Sequence, residues 1–384
     1  MTATRPQEAT AGNRLLPWLP LFVAVLNSYG AVGWNYGFAL YFLNYRHGFV
    51  KRGLVGELFS SAAFLSRGSL LAIEYLFLAA AFALTYFVFR TALFGQRNDR
   101  KLAVLLLSAP AVLPHIGWLF AQPDVTLFLL LLLSLLMFLR LPPLLATALS
   151  LPVCCIALLG HEAFSLMFYP LIVAVLLQLC RTRKLPWIAG ILHVVVVMAV
   201  FIAILHFGKL SVSPAVILAE ATARTNVGIQ PQVYEVMAST LAQQRVLVHK
   251  LYTPYVLQVL ALTLVLIIPY FVLLFVLLRR ALKAAAAPVS QQGFTALLML
   301  APLLLCALGH DTTRWIGAVG IDISFLILFL FLADEEAGPV RTTLRAWAAG
   351  PCYLVWLGYC LVIGPMGATG LRSADNIVNA WIGQ

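Results

Sequence analysis

Apolar runs of about 17 to 25 residues recur from one end of this chain to the other, each long enough to cross a bilayer. A backbone placed in hydrocarbon must satisfy its own hydrogen bonds, so repeated runs of this kind fold as packed helices. Only 10% of the 384 residues are charged and 62% are hydrophobic, whereas an average soluble domain has about 25% charged residues. The expected fold class is therefore all-α: a polytopic transmembrane helical bundle of about eleven spans, with short amphipathic interfacial helices on the outer face, forming a single integral membrane domain over 1–384.

The expected spans are 15–42, 70–89, 102–120, 125–139, 144–159, 163–179, 187–207, 254–278, 294–308, 316–332 and 347–363. The third is interrupted by Pro110 and Pro114, a kind of break tolerated where backbone lines a cavity or is buried in protein. The first carries Asn27, Ser28, Gly30, Gly33, Asn35 and Gly37, so one side of it should face other helices. Residues 54–65 read as a short amphipathic piece, and the spacing over 232–251 predicts an interfacial helix. Residues 1–14 are polar and read as a cytoplasmic tail, and the run after Leu15 is too long for a cleavable signal sequence.

Charge orients the bundle. With the N-terminus in the cytoplasm, the basic clusters at 90–101, Arg140, 181–184, 279–283 and 341–345 all fall inside, as the positive-inside rule requires. Three segments then lie outside: a basic loop over 44–68, a long loop over 208–253 and a tail over 366–384. The expected location is the inner (cytoplasmic) membrane. The net charge of +11 is accounted for by these loops and anionic membrane lipids, and nucleic acid is not an expected partner. The six cysteines lack zinc-ligand spacing and read as small hydrophobes.

One basic cluster breaks the rule. Arg46, His47, Lys51 and Arg52 sit beside Gly48, Gly53 and Gly56 on the outer side. Cationic forks and exposed backbone amides together suit phosphate or pyrophosphate, although the same cluster would serve lipid head groups. Three more polar groups fall at outer helix ends: Asp124, His161 with Glu162, and His310 with Asp311 and Arg314. Asp124 and Glu162 also suit the positive end of a helix dipole. As a site, Asp124, Glu162 and Asp311 are the candidate catalytic carboxylates, and Arg46, His47, Lys51, Arg52, His161, His310 and Arg314 the candidate substrate-binding groups. No organic cofactor is expected, since Walker, Rossmann and nucleophile-elbow motifs are missing from the sequence. No resident metal is assigned either, though the imidazoles and carboxylates would suit a divalent cation.

In its many spans, outer-face polar motifs and carboxylates at Asp124 and Glu162, the chain resembles the bacterial polytopic envelope glycosyltransferases. These comprise the GT-C-type enzymes that use polyprenyl-phosphate sugars and the O-antigen or exopolysaccharide polymerases. The resemblance implies transfer of sugar from a polyprenyl-(pyro)phosphate donor to a glycan acceptor in cell-envelope glycan synthesis. The first outer loop departs from the GT-C pattern: it is basic, and its one acid is Glu57. That leans toward a polymerase-like site that grips pyrophosphate. A transporter or flippase for a lipid-linked or anionic substrate would use the same cations without making a bond.

Overall fold

The computed structural model describes residues 14–28, 37–239, 243, 246, 252–307, 309, 311–367 and 370–382. Among them the helices are α1 (Leu19–Ser28), α2 (Leu54–Leu58), α3 (Arg67–Leu93), α4 (Arg97–Leu107), α5 (Leu113–Trp118), α6 (Pro123–Arg140), α7 (Pro143–Gly160), α8 (Phe164–Met167) and α9 (Tyr169–Arg181). The chain continues through α10 (Trp187–Phe207), α11 (Pro214–Ala223), α12 (Gln232–Ala238), α13 (Pro254–Ala284), α14 (Val289–Met299), α15 (Thr312–Ala333), α16 (Pro339–Ala349), α17 (Cys352–Ile363) and α18 (Arg372–Ile382). Extended pairing among the described residues is confined to one isolated bridge, Met366 with Leu371. The all-α class is borne out.

Among the described residues, seven to eight of the eleven expected crossings stand as long apolar helices. Seven helices are long and apolar enough to cross a membrane: α3, α6, α7, α10, α13, α15 and α14 with its 3-10 extension to Ala307. Counting α16 with α17, bent by 79° at Gly350-Pro351, as one crossing makes eight. Of expected span one, the described residues form α1 and a 3-10 turn over Gly37–Phe42. Spans three and six exist as shorter pieces: Pro110 lies between α4 and α5, Pro114 opens the first turn of α5, and Pro170 restarts the chain as α9. Proline removes an amide donor and clashes with the preceding turn, so each of these segments breaks. Pro152 and Pro269, by contrast, stay inside α7 and α13. Of the expected amphipathic pieces, 54–65 is helical only over α2, and the described part of 232–251 is helical over α12 and again at Gln243 and Val246.

The bundle is organised around α15. Every residue from Thr313 to Phe331 is buried. A helix that is apolar on all sides belongs in the centre of a bundle. Two glycines admit close neighbours: Gly317 faces the His115 ring and Gly320 faces Ala111. Lower down, Phe325 packs edge-on to Phe89 at 5.0 Å and against Phe128 at 5.5 Å. In contrast, α10 exposes Ile188, Ile191, Leu192, Val195 and Ile202, a face for lipid chains.

The polar residues sort to the two ends of this core. Helices α6 and α7 form a hairpin joined by Leu141-Pro142, so Asp124 and Gly160 share one end. At the opposite end Arg345 binds Asp99 through Nε (2.6 Å) and Nη2 (2.9 Å) and reaches Glu336. Arg181 there donates to the carbonyls of Ala285 and Ala286.

Candidate functional site

The basic loop is folded against the long loop. Lys51 N donates to Gly208 O (3.1 Å), Leu65 N to Arg224 O (2.8 Å), and Thr225 Oγ1 to Leu65 O (2.6 Å). Arg224 caps the carbonyls of Phe59 and Ala62. The glycines serve this packing. A Cβ on Gly56 would lie 2.0 Å from Leu43 O, and one on Gly53 would meet the Tyr45 ring. The amides of Gly48, Lys51, Gly53 and Glu57 all donate within the protein. The expectation of exposed amides for phosphate is therefore corrected at these positions, which leaves the side chains of the loop as its candidate anion groups.

Those side chains divide into two groups. Arg46 and His47 turn toward Glu220 of α11, with His47 Nε2 at 3.0 Å and Arg46 Nη1 at 3.8 Å. His47 borders a water-sized cavity of about 10 Å³ with Asn44, Gly48, Ser211 and Glu220. Lys51 and Arg52 turn the other way, to Glu162 in the break between α7 and α8. Arg52 Nε and Nη2 grip both carboxylate oxygens, at 2.8 and 2.5 Å. Lys51 Nζ stands 3.8 Å away. Arg52 holds a φ of 63°, in the left-handed region that side chains other than glycine rarely adopt. Strain of this kind persists only where neighbours over-determine it, and it concentrates at functional sites.

The second cluster lies on α6 and α15. Arg314 Nε donates to Asp124 Oδ1 at 3.1 Å, Nη2 lies 2.8 Å from Oδ2, and Nη1 binds Asp311 Oδ2 at 2.5 Å. The Nη2 contact is an ion pair off the hydrogen-bond line, since Oδ2 makes no hydrogen bond. Asp124 is wholly buried, so its carboxylate answers Arg314 rather than capping its own helix. Asp311 is the more open partner. His310 lies outside the described residues.

His161 joins the clusters. Its Nδ1 accepts Ala163 N–H at 3.1 Å and lies 3.6 Å from Glu162 Oε2. Burial first, then the nearby positive charge of Arg52, Arg314 and Lys51, holds the imidazole well below its ordinary value against the pull of Glu162. Helix α8 follows His161 and Glu162 directly and packs against α15, the helix that carries Arg314. Burial alone would raise the Glu162 carboxyl, yet Arg52, His161 and Lys51 outweigh it and hold the group far below the carboxylate range. Lys51 is itself lowered, chiefly by burial and partly by Arg52, with Glu162 opposing.

Sequence reading missed the support beneath the site. His115, directly after Pro114 in the third expected span, lies buried with Nδ1 2.6 Å from Met366 O. Thr313 Oγ1 donates to Gly367 O at 2.7 Å, and Arg372 stacks over Trp118. The segment expected to be a free tail thus closes the core beneath Arg314. Glu74, buried within α3, accepts from Tyr41 at 2.8 Å and was likewise missed. The only signal for either was a polar residue inside an apolar run. His193 is a packing residue, as expected, between Ser150 and Tyr169.

Among the described residues no three His, Cys, Asp or Glu side chains converge as a metal-holding group, and the carboxylates face cations instead. No protein-family model and no curated protein matches the chain.

Proposed function

We propose that this protein is a membrane glycosyltransferase or polysaccharide polymerase. It would take sugar from a polyprenyl-(pyro)phosphate donor on the extracytoplasmic face of the inner membrane and pass it to a glycan acceptor. The observation that carries this reading is the convergence of Lys51, Arg52, His161 and Arg314 at one end of an apolar bundle. On this reading the bent pair and the first, third and sixth expected spans cross the membrane with the seven long helices. The N-terminus would then be cytoplasmic and this site outside, with Arg181, Arg341 and Arg345 on the cytoplasmic side.

The geometry assigns the work unequally. Glu162 and Asp124 are engaged by arginines and act as positioning groups. Asp311, the more accessible carboxylate, is the general base. The acceptor hydroxyl oxygen bonds the anomeric carbon of the donor as its proton passes to Asp311. The bond from that carbon to the phosphate oxygen breaks, and the electron pair leaves on the lipid phosphate. Lys51 and the arginines stabilise the charge that develops there.

The test feeds purified protein in nanodiscs a polyprenyl-pyrophosphate oligosaccharide and follows longer glycan and released carrier. Alanine at Arg52 or Arg314 would also strand a buried carboxylate, so Lys51→Gln and Asp311→Asn are the cleaner variants. Asp311→Asn should slow transfer by about 100-fold or more, and Lys51→Gln by about 10-fold or more. Wild-type turnover in both variants, or movement of the carrier with no new glycosidic bond, would overturn the reading.

A further inference from the structure

One donor at this site has no work within the protein. The Ala163 N–H to Nδ1 hydrogen bond uses the Nδ1 lone pair, so the neutral His161 ring carries its proton on Nε2. Among the described residues Nε2 has no hydrogen-bond partner, and it is not one of the atoms sealed from solvent. The rest of the ring is held: the residue is only 6% exposed, and its own amide donates to Ala157 O at 2.8 Å. A buried imidazole with one nitrogen occupied and the other open is a fixed donor awaiting an acceptor.

We propose that His161 Nε2–H is an anion-binding donor of this site, hydrogen-bonded to a non-bridging phosphate oxygen of the ligand. This rests on, and deepens, the reading of the site as one for phosphate-linked donors. Electrostatics support it. Two guanidinium groups and an ammonium are already present, and a second positive ring would be repelled while a neutral N–H donor is not. A bound phosphate gains from a directed donor, and the amides of Gly48, Lys51, Gly53 and Glu57 are already used within the protein.

The experiment uses the full chain in nanodiscs and two probes, inorganic phosphate and a polyprenyl phosphate. Histidine-selective 15N NMR, with the signal assigned by loss in His161→Gln, should show the Nε2–H tautomer and a shift of that signal on adding either probe. His161→Phe keeps ring volume without a donor and should bind about 10-fold more weakly, the value of one charge-assisted hydrogen bond. His161→Gln, whose side-chain amide can donate, should restore most of the affinity. Weakening toward both probes means that the phosphate group alone is recognised, and weakening toward the lipid alone means that it is recognised with its chain. Unchanged affinity for both probes in His161→Phe, or an Nδ1–H or doubly protonated ring in the wild type, overturns the proposal. The NMR arm stands even where His161→Phe fails to fold. Phosphate binding that depends on His161, in a protein that makes no glycosidic bond, would sink the transferase reading and leave this one standing.

Discussion

The imidazole of His115 packs flat against Gly317, so close that a methyl group at 317 would lie 2.4 Å from Nε2. Gly317 is one turn below Arg314 on the same helix, and His115 is fixed on its far side by Met366 O. A side chain at 317 must push apart α5, α15 or the 364–367 segment. Gly317→Ala should therefore cost about 1–3 kcal/mol, as expected for overpacking, and should weaken phosphate binding although residue 317 touches no ligand. Thermal unfolding in detergent together with binding checks this; an unchanged midpoint would show that the ring has room to move.

The Arg52–Glu162 pair links the basic loop to the α7–α8 break through a bidentate contact. Breaking one side of a buried pair is expensive because the other charge is stranded. Glu162→Gln should destabilise by about 3–5 kcal/mol. The double variant Arg52→Met, Glu162→Gln should cost less than the two single changes together, by at least about 1 kcal/mol. Unfolding in mixed SDS micelles would measure the cycle, and simple additivity would mean that the loop is held by its backbone contacts alone.

His161 should make the protein acid-sensitive. Its folded pKa is lowered from 6.5, so the unfolded chain takes up this proton first as pH falls. The contribution of the ring to stability is whole above about pH 6.5 and is lost progressively below it, toward the folded value. Glu162, also depressed, contributes fully above about 4.5 and loses its share only below that. The difference between wild type and His161→Gln, followed by melting temperature, should narrow or reverse between pH 6.5 and 4.5. A constant difference across that window would mean that the ring is not perturbed.

Asp322 lies at the middle of α15, wholly buried, with no hydrogen bond to either carboxyl oxygen among the described residues. Replacing an unsatisfied polar group by an apolar side chain of the same shape removes a desolvation penalty of about 1–3 kcal/mol. Asp322→Leu should accordingly raise the unfolding midpoint in detergent. A lowered midpoint would show that the carboxyl has a task in the core.

Fold class and the polar groups at helix ends were legible because both rest on contrast. Long apolar runs stand out, and so do Asp124, Glu162 and Arg314 at their ends. The pairing was not legible: Arg314 meets Asp124 across 190 residues, and nothing local to either residue records the match. Arg46 and His47, next to Lys51 and Arg52 in sequence, turn instead to Glu220, because the loop reverses at Gly48 and again at Arg52. The glycines of that loop suggested an anion nest, yet Gly56 is required by the backbone of Leu43. Which expected spans are single unbroken helices was not legible, because hydropathy is blind to geometry. Prolines 110, 114 and 170 divide apolar runs that remain continuous on any hydropathy scale.

The same long separations set an order on biosynthesis. Asp124 enters the membrane with α6, and Arg314 is made 190 residues later. At roughly 5–20 residues per second, the carboxylate spends about 10–40 s without its cation. Asp99 waits longer still, since Arg345 follows it by 246 residues. A nascent chain that stalls before α15 therefore carries an uncompensated acid in its apolar interior, which distinguishes every truncated product from the finished one.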